Sequence, residues 1–184
     1  MKLLAFLFAL LPLVPAHAHK VIGVADGDNL TLLVGQQPLK IRLANIDAPE
    51  KAQQFGDQAK QSLIELCFGK EASYKEQAID HRGRTVAVVI CDGVEANRSQ
   101  VERGMAWVTP KTNQDLTLPG LEAMARQRRA GLWAMAEPTP PWQFRNPKPR
   151  KANTIPAENT DGSICFTDRH GEYRFVDGVK RYGC

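Results

Sequence analysis

The chain has 184 residues, with 24 Lys and Arg against 20 Asp and Glu, which gives a formal net charge of +4. This length suffices for one hydrophobic core of ordinary size plus a small appendage, so one main domain is expected. The positive excess suits a polyanionic partner but is too small to identify one. Composition alone therefore leaves the function open.

The first 18 residues have the pattern of an export signal. Lys2 gives a positive start, residues 3–14 form an apolar run broken by one proline, and residues 16–18 read Ala-His-Ala, a small-x-small cleavage sequence. A membrane anchor is the alternative, but a spanning helix needs about 20 apolar residues, and the run over residues 3–14 is shorter than that. We therefore expect cleavage after Ala18, export to a periplasm or to the medium, and no stable membrane association afterwards.

The segment after the signal predicts consecutive antiparallel strands. Residues 21–25 and 30–34 are rich in strand-forming residues, residues 35–38 form a turn, and residues 39–44 alternate apolar with polar side chains. Arg42 alternates with apolar neighbours, so it is expected to point away from the core.

The position of this turn predicts where two carboxylates meet. If the turn is centred between Gln36 and Gln37, Asp28 lies opposite Asn45, and Asp47 follows just beyond the strand end. Two carboxylates that are distant in sequence would then lie at one end of the hairpin.

The remainder of the main segment alternates predicted helices and strands. We expect a helix over residues 53–67, strands over 72–75 and 85–90, a turn at Asp92-Gly93, a helix capped by Asn97 that ends near Arg103, and a helix over 118–130. The last helix carries Arg126, Arg128 and Arg129, a cluster that is more typical of a solvated face than of a nucleic-acid contact.

The composition changes after Trp133. Six of the 12 prolines lie between residues 138 and 156, and four basic residues occur there without an acidic one: Arg145, Lys148, Arg150 and Lys151. Such a stretch is typical of an extended linker, and its charge also suits a phosphate backbone. We therefore divide the chain into a signal (1–18), a main domain (19–135), a Pro-rich basic linker (136–160) and a small β-rich tail (161–184).

The four cysteines are predicted to form disulfides. An even number of cysteines in an oxidising compartment favours this use. We prefer the sequential pairs Cys67–Cys91 and Cys165–Cys184, of which the second would stabilise the tail as a hairpin-like appendage. Zinc binding is the less favoured alternative, because no C-x-x-C or neighbouring Cys-His pair occurs.

Six charged side chains in three short segments indicate the chemistry. They are Asp26 and Asp28 in V-A-D-G-D-N, Arg42, Asp47 and Glu50 in R-L-A-N-I-D-A-P-E, and Arg84 in D-H-R-G-R. Hard oxygen ligands, a carboxylate that can act as a base and two phosphate clamps are what metal-assisted phosphodiester hydrolysis requires. Taken singly, each could be an ordinary turn or surface charge.

Five motifs in a fixed order carry a family resemblance. D-G-D, R-L-x-x-I-D-A-P-E, D-x-x-G-R, R-G-M-A-W-V and R-R-A-G-L-W follow one another over about residues 21–133. In this order they resemble the staphylococcal nuclease-like, or thermonuclease, family. The resemblance implies a mainly β, α+β fold, namely a five-stranded OB-type barrel with about three helices. It does not cover the linker or the tail.

The resemblance also implies an activity and a set of site residues. The activity is calcium-dependent hydrolysis of phosphodiester bonds in DNA or RNA, which leaves 3′-phosphates. The calcium ligands would be Asp28, Asp47 and the main-chain carbonyl of Ala48, with Glu50 as general base and Arg42 and Arg84 as phosphate clamps. Asp26 would support a calcium ligand or the turn. Nucleic acid is then the expected partner, with no protein partner and a monomeric state.

Two departures and two rival functions accompany this interpretation. Arg82 stands where the family's best-known member has a tyrosine near the nucleotide, so base stacking is expected to be weaker or supplied elsewhere. Asn29 replaces the usual Thr after D-G-D, with little expected consequence.

The main rival is a non-catalytic OB-type module that binds nucleic acid or protein. A third reading is an exported inhibitor or adhesion domain.

Overall fold

The computed structural model describes residues 18–147, 157–158, 164–168, 171–176 and 179–182. Two compact units divide the chain, one up to Arg145 and one from Asn146 onward. Residues 1–17 of the predicted signal and Cys184, with the predicted Cys165–Cys184 bond, lie outside the described residues. Within the described residues, no helix is long and apolar enough to cross a membrane.

The first unit is built on a closed barrel of five strands. The first unit contains eight strands in its described residues, of which five form the barrel. In chain order they are β1 (His19–Val24), β2 (Asn29–Val34), β3 (Gln37–Leu43), β4 (Ile46–Asp47), β5 (Glu71–Ile79), β6 (Thr85–Cys91), β7 (Val94–Glu95) and β8 (Trp107–Val108). Strands β3, β2, β1, β5 and β6 are antiparallel neighbours, and a parallel pairing between β3 and β6 closes the ring. The predicted five-stranded OB-type barrel is confirmed.

Helices surround the barrel. They are α1 (Gly56–Cys67), α2 (Ala96–Glu102), α3 (Leu118–Gln127), a 3-10 turn (Gly131–Ala134) and α4 (Pro141–Arg145). The first three fall in the segments where helices are predicted. α4 lies in the predicted linker, so an extended conformation does not describe residues 141–145.

The described strands of the second unit are short. They are β9 (Ala157–Glu158), β10 (Ile164–Asp168), β11 (Gly171–Val176) and β12 (Val179–Tyr182). They pair antiparallel in the order β12-β11-β10-β9.

Alternating apolar side chains fill the barrel. Leu30 and Leu32 of β2 and Ile41 and Leu43 of β3 are buried, and Leu63 of α1 packs into the same core. Each such side chain contributes about 1.5–3 kcal/mol when it leaves water. The period-two pattern of the sequence thus fixes which face of each strand points inward and leaves the other face available for the site.

The hairpin between β2 and β3 turns one residue earlier than predicted. Gly35 has a φ of +61°, which glycine adopts without a Cβ clash. The register therefore shifts by two residues, and Asp28 lies opposite Leu43, whose N–H donates to the Asp28 carbonyl at 2.8 Å. The prediction that Asp28 faces Asn45 was wrong. Asp28 and Asp47 still reach one site, because the chain reverses at Asn45 (φ 68°) before β4.

Asn97 does not cap α2, contrary to the prediction. The helix already begins at Ala96, and the Asn97 side chain is buried. Its Oδ1 accepts a hydrogen bond from Val89 N at 3.0 Å, and its Nδ2 donates to Ala44 O at 2.8 Å. Asn97 therefore ties α2 to β6 and to the residue that follows β3. A buried amide is well suited to satisfy such strand groups.

A disulfide joins Cys67 at the end of α1 to Cys91 at the end of β6, with a Cα–Cα distance of 5.3 Å. Both cysteines are buried in the main core. The predicted pairing of these two residues is confirmed.

Replacing both residues, as Cys67→Ala with Cys91→Ala, should lower the free energy of unfolding by about 2–4 kcal/mol, because an open loop gains entropy in the unfolded chain. Urea unfolding of the oxidised wild type and the double variant measures this. Reduced wild-type protein is the control, because it lacks the disulfide bond but keeps both sulfur atoms in the core. Equal urea midpoints for oxidised and reduced wild type would contradict the prediction.

Candidate active site

An open cleft of about 710 Å³ lies at the end of the barrel where β2 begins and β3 ends. It is lined by the six residues that the sequence predicts to be catalytic or metal-binding, namely Asp28, Arg42, Asp47, Ala48, Glu50 and Arg84, and by Asp26, which is predicted to support a calcium ligand or the turn. Arg82 and Lys111 add positive charge to the same cleft. The cleft thus combines buried acids with a basic wall.

Arg42 holds two buried carboxylates together. Its Nη2 atom lies 2.8 Å from Asp47 Oδ1 and 3.2 Å from Asp28 Oδ2. Asp28 is only 4% exposed and Asp47 only 3%. Two carboxylates this close and this buried repel each other, and the shared guanidinium offsets that repulsion.

The environment of Asp28 favours its neutral form. Burial, with smaller contributions from the charges of Asp26 and Asp47, raises the pKa of Asp28 to about 8 despite the opposing attraction of Arg42. A hydrogen bond from Ala48 N to Asp28 Oδ2, at 3.1 Å, acts in the opposite direction. The positive charge that surrounds Asp28 is therefore insufficient to keep it ionised at neutral pH, and a bound cation would supply the difference.

The donor set fits a hard cation. In the part of the chain that the structure describes, no group of three or more His, Cys, Asp and Glu side chains is arranged to hold a metal ion. A calcium ion takes about six to eight oxygen ligands, so main-chain, water or substrate oxygens would have to join Asp28 and Asp47. The contact from Ala48 N brings a peptide group to the same place. Oxygen-only ligation of this kind suits calcium and does not suit zinc.

The D-G-D loop is shaped by its own side chains. Asp26 Oδ1 accepts hydrogen bonds from Asp28 N at 3.1 Å and from Asn29 Nδ2 at 2.8 Å. Buried Gln100 donates from Nε2 to the Gly27 carbonyl at 2.7 Å, and a Cβ on Gly27 would lie 2.6 Å from that of Ala59. Asp26 therefore fixes the turn from inside, while α1 and α2 hold the loop from behind.

Asn29 makes more contacts in the site than the sequence predicts. Its Nδ2 atom donates to both Asp26 and Asp28, and its Oδ1 atom accepts from Arg84 Nη1 at 2.6 Å. An amide can do both because it carries a donor and an acceptor. Asn29 therefore connects the acidic loop to Arg84, which does not itself contact Asp28 or Asp47.

Arg84 is held in place by Asp80 across the turn between β5 and β6. Arg84 Nε donates to Asp80 Oδ2 at 2.8 Å, and the main-chain N–H groups of Arg82 and Arg84 donate to Asp80 Oδ1. Burial raises the pKa of Asp80, but these hydrogen bonds outweigh it and lower the pKa to about 2. Asp80 thus stays ionised and keeps the Arg84 guanidinium oriented.

Glu50 lies in the loop between β4 and α1. Its main-chain N–H donates to Gln53 Oε1 at 3.2 Å, and its side chain is 39% exposed. Within the described residues, the only side-chain partner of its carboxylate is Arg145. Glu50 is therefore fixed at the backbone, and its carboxylate is partly open to water beside Arg145.

Arg145 is the site residue that sequence reasoning placed in the linker. From the end of α4, its Nη2 atom lies 2.6 Å from Asp47 Oδ2, and its Nη1 atom lies 2.5 Å from Glu50 Oε1 and 3.2 Å from Asp47 Oδ1. Hydrogen bonding to Asp47 raises the pKa of Arg145. The sequence signal is a basic segment without acids, and such a signal does not show that α4 folds back onto the cleft.

Known proteins match more than half of this chain. The family profile described as staphylococcal nuclease homologue matches residues 40–135. An Escherichia coli protein described as an uncharacterized endonuclease is 38% identical over 148 residues, which are 79% of this chain and 96% of that protein. Shigella flexneri micrococcal nuclease is 34% identical over 154 residues, 76% of this chain and 88% of its own. A Haemophilus influenzae protein described as an uncharacterized endonuclease is 37% identical over 127 residues, 68% of this chain and 71% of its own. With a closed five-stranded barrel beneath these matches, the chain belongs to the staphylococcal nuclease family.

Proposed function

We propose that the protein is an exported, calcium-dependent nuclease that hydrolyses phosphodiester bonds of DNA, RNA or both and leaves 3′-phosphates. One observation carries the proposal: Arg42 joins the buried carboxylates of Asp28 and Asp47 in a cleft that Glu50 and Arg84 also line. Membership of a nuclease family supports the reaction class. The choice of which P–O bond is cleaved rests on the family resemblance.

Arg42 and Arg84 are the proposed phosphate clamps. Arg42 uses Nη2 for both carboxylates, so its Nε and Nη1 donors have no protein partner in the described part of the chain. Arg84 is oriented by Asp80 and Asn29 before any substrate arrives. Donors that are fixed in advance stabilise the developing negative charge without the cost of reorganisation, and the planar guanidinium fork suits phosphate.

Glu50 is the proposed general base. Its carboxylate is partly open to water, and Gln53 fixes the backbone that carries it. From there it can accept the proton of the attacking water. Asp28, Asp47 and the Ala48 carbonyl are the proposed calcium ligands, and the bound ion supplies positive charge that opposes the charge developing on the phosphate.

Export is supported by two features of the chain. The first 18 residues have the composition of a secretory signal. The buried Cys67–Cys91 disulfide is of a kind that persists in oxidising compartments. Calcium is abundant outside the cytoplasm, where even a weak site is filled.

Glu50→Gln tests the proposed base. With single-stranded DNA and calcium, the purified wild type should cleave and a chelator should abolish cleavage. The substitution keeps the side-chain shape but removes the base, so kcat should fall about a hundredfold or more. Glu65→Gln is the matched control, because Glu65 is exposed on α1 and does not line the cleft.

Two results would contradict this assignment in different ways. Binding of DNA by the wild type without cleavage under any condition would favour the non-catalytic OB-type module. Calcium-dependent cleavage that is unaffected by Glu50→Gln would keep the enzyme and remove Glu50 as its base.

Asp28→Asn tests the buried carboxylate through its pH dependence. The pKa of Asp28 is about 8 in the folded chain against an ordinary value of 3.8. The unfolded chain therefore loses this proton first as the pH rises. In the presence of a chelator, the free energy of unfolding of the wild type should fall relative to that of Asp28→Asn between about pH 4 and pH 8.

Urea unfolding at several pH values measures this difference. Asp57→Asn, at an exposed position of α1, is the control and should follow the wild type over the same range. Added calcium should restore the wild type and not Asp28→Asn. Parallel pH curves for the wild type and Asp28→Asn would refute the prediction.

A further inference from the structure

We infer that Arg145 is an additional active-site residue that pairs with Asp47 and Glu50 and that exchanges these carboxylates for the substrate phosphate when a calcium ion binds Asp47. The inference rests on the proposed function, because it takes Asp47 as a calcium ligand and Glu50 as the base. It assigns to α4 a direct part in the site, although α4 lies beyond residues 40–135 that match the family.

Contacts other than those of Arg145 also position α4. Pro141 is buried, and Trp142 packs against the cluster that contains Trp107 and Trp133. Just before the helix, the Thr139 carbonyl accepts a hydrogen bond from Gln53 Nε2 at 2.5 Å. These contacts hold the helix against the barrel, so they bring the side chain at its last position to the cleft.

The same Gln53 side chain also holds Glu50. Its Oε1 atom accepts from Glu50 N, while its Nε2 atom reaches Thr139. Gln53 is only 8% exposed, so both contacts are sheltered from water. One buried amide therefore sets the distance between the loop of Glu50 and the segment that leads to Arg145.

Arg145 occupies acceptor positions that a calcium ion on Asp47 would need. A carboxylate offers about four lone-pair positions. On Asp47, Oδ1 accepts from both Arg42 and Arg145, and Oδ2 accepts from Arg145 at 2.6 Å. Arg145 alone takes two of the three hydrogen bonds in which Asp47 is the acceptor. Calcium binding through Asp47 must therefore compete with this guanidinium.

A released Arg145 would remain in the cleft. Its side chain is 37% exposed and lines the cavity together with Arg42 and Arg84. A divalent ion beside the guanidinium groups of Arg42 and Arg84 raises the positive charge of the cleft, and an anion must balance that charge. A phosphate presents oxygen pairs that the guanidinium fork binds as it binds a carboxylate. The same guanidinium that pairs with the two carboxylates can therefore bind a phosphate that enters the cleft.

Arg145→Ala distinguishes this role from a structural one, because the exchange predicts opposite changes in the affinities for two ligands. In the full chain, calorimetric titration with CaCl₂ alone should show affinity for calcium raised by about fivefold or more, because Asp47 loses a competing partner. Titration with thymidine 5′-monophosphate at saturating CaCl₂ should show affinity lowered by about fivefold or more. This nucleotide has no phosphodiester bond to cleave.

Two further variants serve as controls. Arg145→Lys keeps the charge but not the fork, so both affinities should lie between those of the wild type and Arg145→Ala. Arg128→Ala removes the same charge from an exposed position that does not line the cleft, and it should leave both affinities within about twofold.

The outcomes distinguish the inference from the proposed function. If the wild type binds calcium and cleaves DNA, the inference is overturned by calcium affinity that is unchanged or weaker in Arg145→Ala, or by unchanged nucleotide affinity. If Arg145→Ala and Arg145→Lys both bind calcium and the nucleotide more weakly than the wild type, Arg145 only supports the structure. This result also overturns the inference. A wild type that neither binds calcium nor cleaves DNA removes the proposed function, and the inference fails with it.

Discussion

The site depends on one guanidinium nitrogen that touches two buried carboxylates. Arg42 Nη2 contacts Asp28 before β2 and Asp47 in β4, and Arg42 itself lies on β3 between them. Without that contact, two acids that are each less than a twentieth exposed would repel each other with no compensation. Three consecutive segments of the barrel therefore meet at a point where the charge on each depends on the charges on the other two.

Closure of the barrel adds the second half of the site. Because β3 and β6 pair in parallel, Arg42 lies opposite Val86, and the turn that carries Arg84 comes to the same end of the barrel as the acidic loop. A single hydrogen bond then joins Asn29 to Arg84, which lies 55 positions later in the sequence. The fold thus converts a long sequence separation into a short contact, which makes an OB-type barrel suitable for a site drawn from several loops.

The sequence predicts most of the site, because its charged residues occur in ordered motifs and its strands have a clear alternation of apolar residues. It fails where the outcome depends on a contact between distant segments. The register of the first hairpin depends on the backbone of Gly35, and Asn97 is drawn away from the helix end by unpaired strand groups of Ala44 and Val89. Arg145 belongs to a proline-rich segment whose helix is held by a tryptophan cluster and by Gln53, and neither partner is local.

The packing of α4 means that the unit recognised by sequence is shorter than the unit that folds. The family match ends at residue 135, whereas the first compact unit continues to Arg145. A chain cut at the edge of the match would leave the Trp133 cluster without the cover of Trp142 and the buried Gln53 amide without its carbonyl partner. Residues 136–145 therefore belong to the same packed structure as the barrel, and Gln53 links them directly to the loop that carries Glu50.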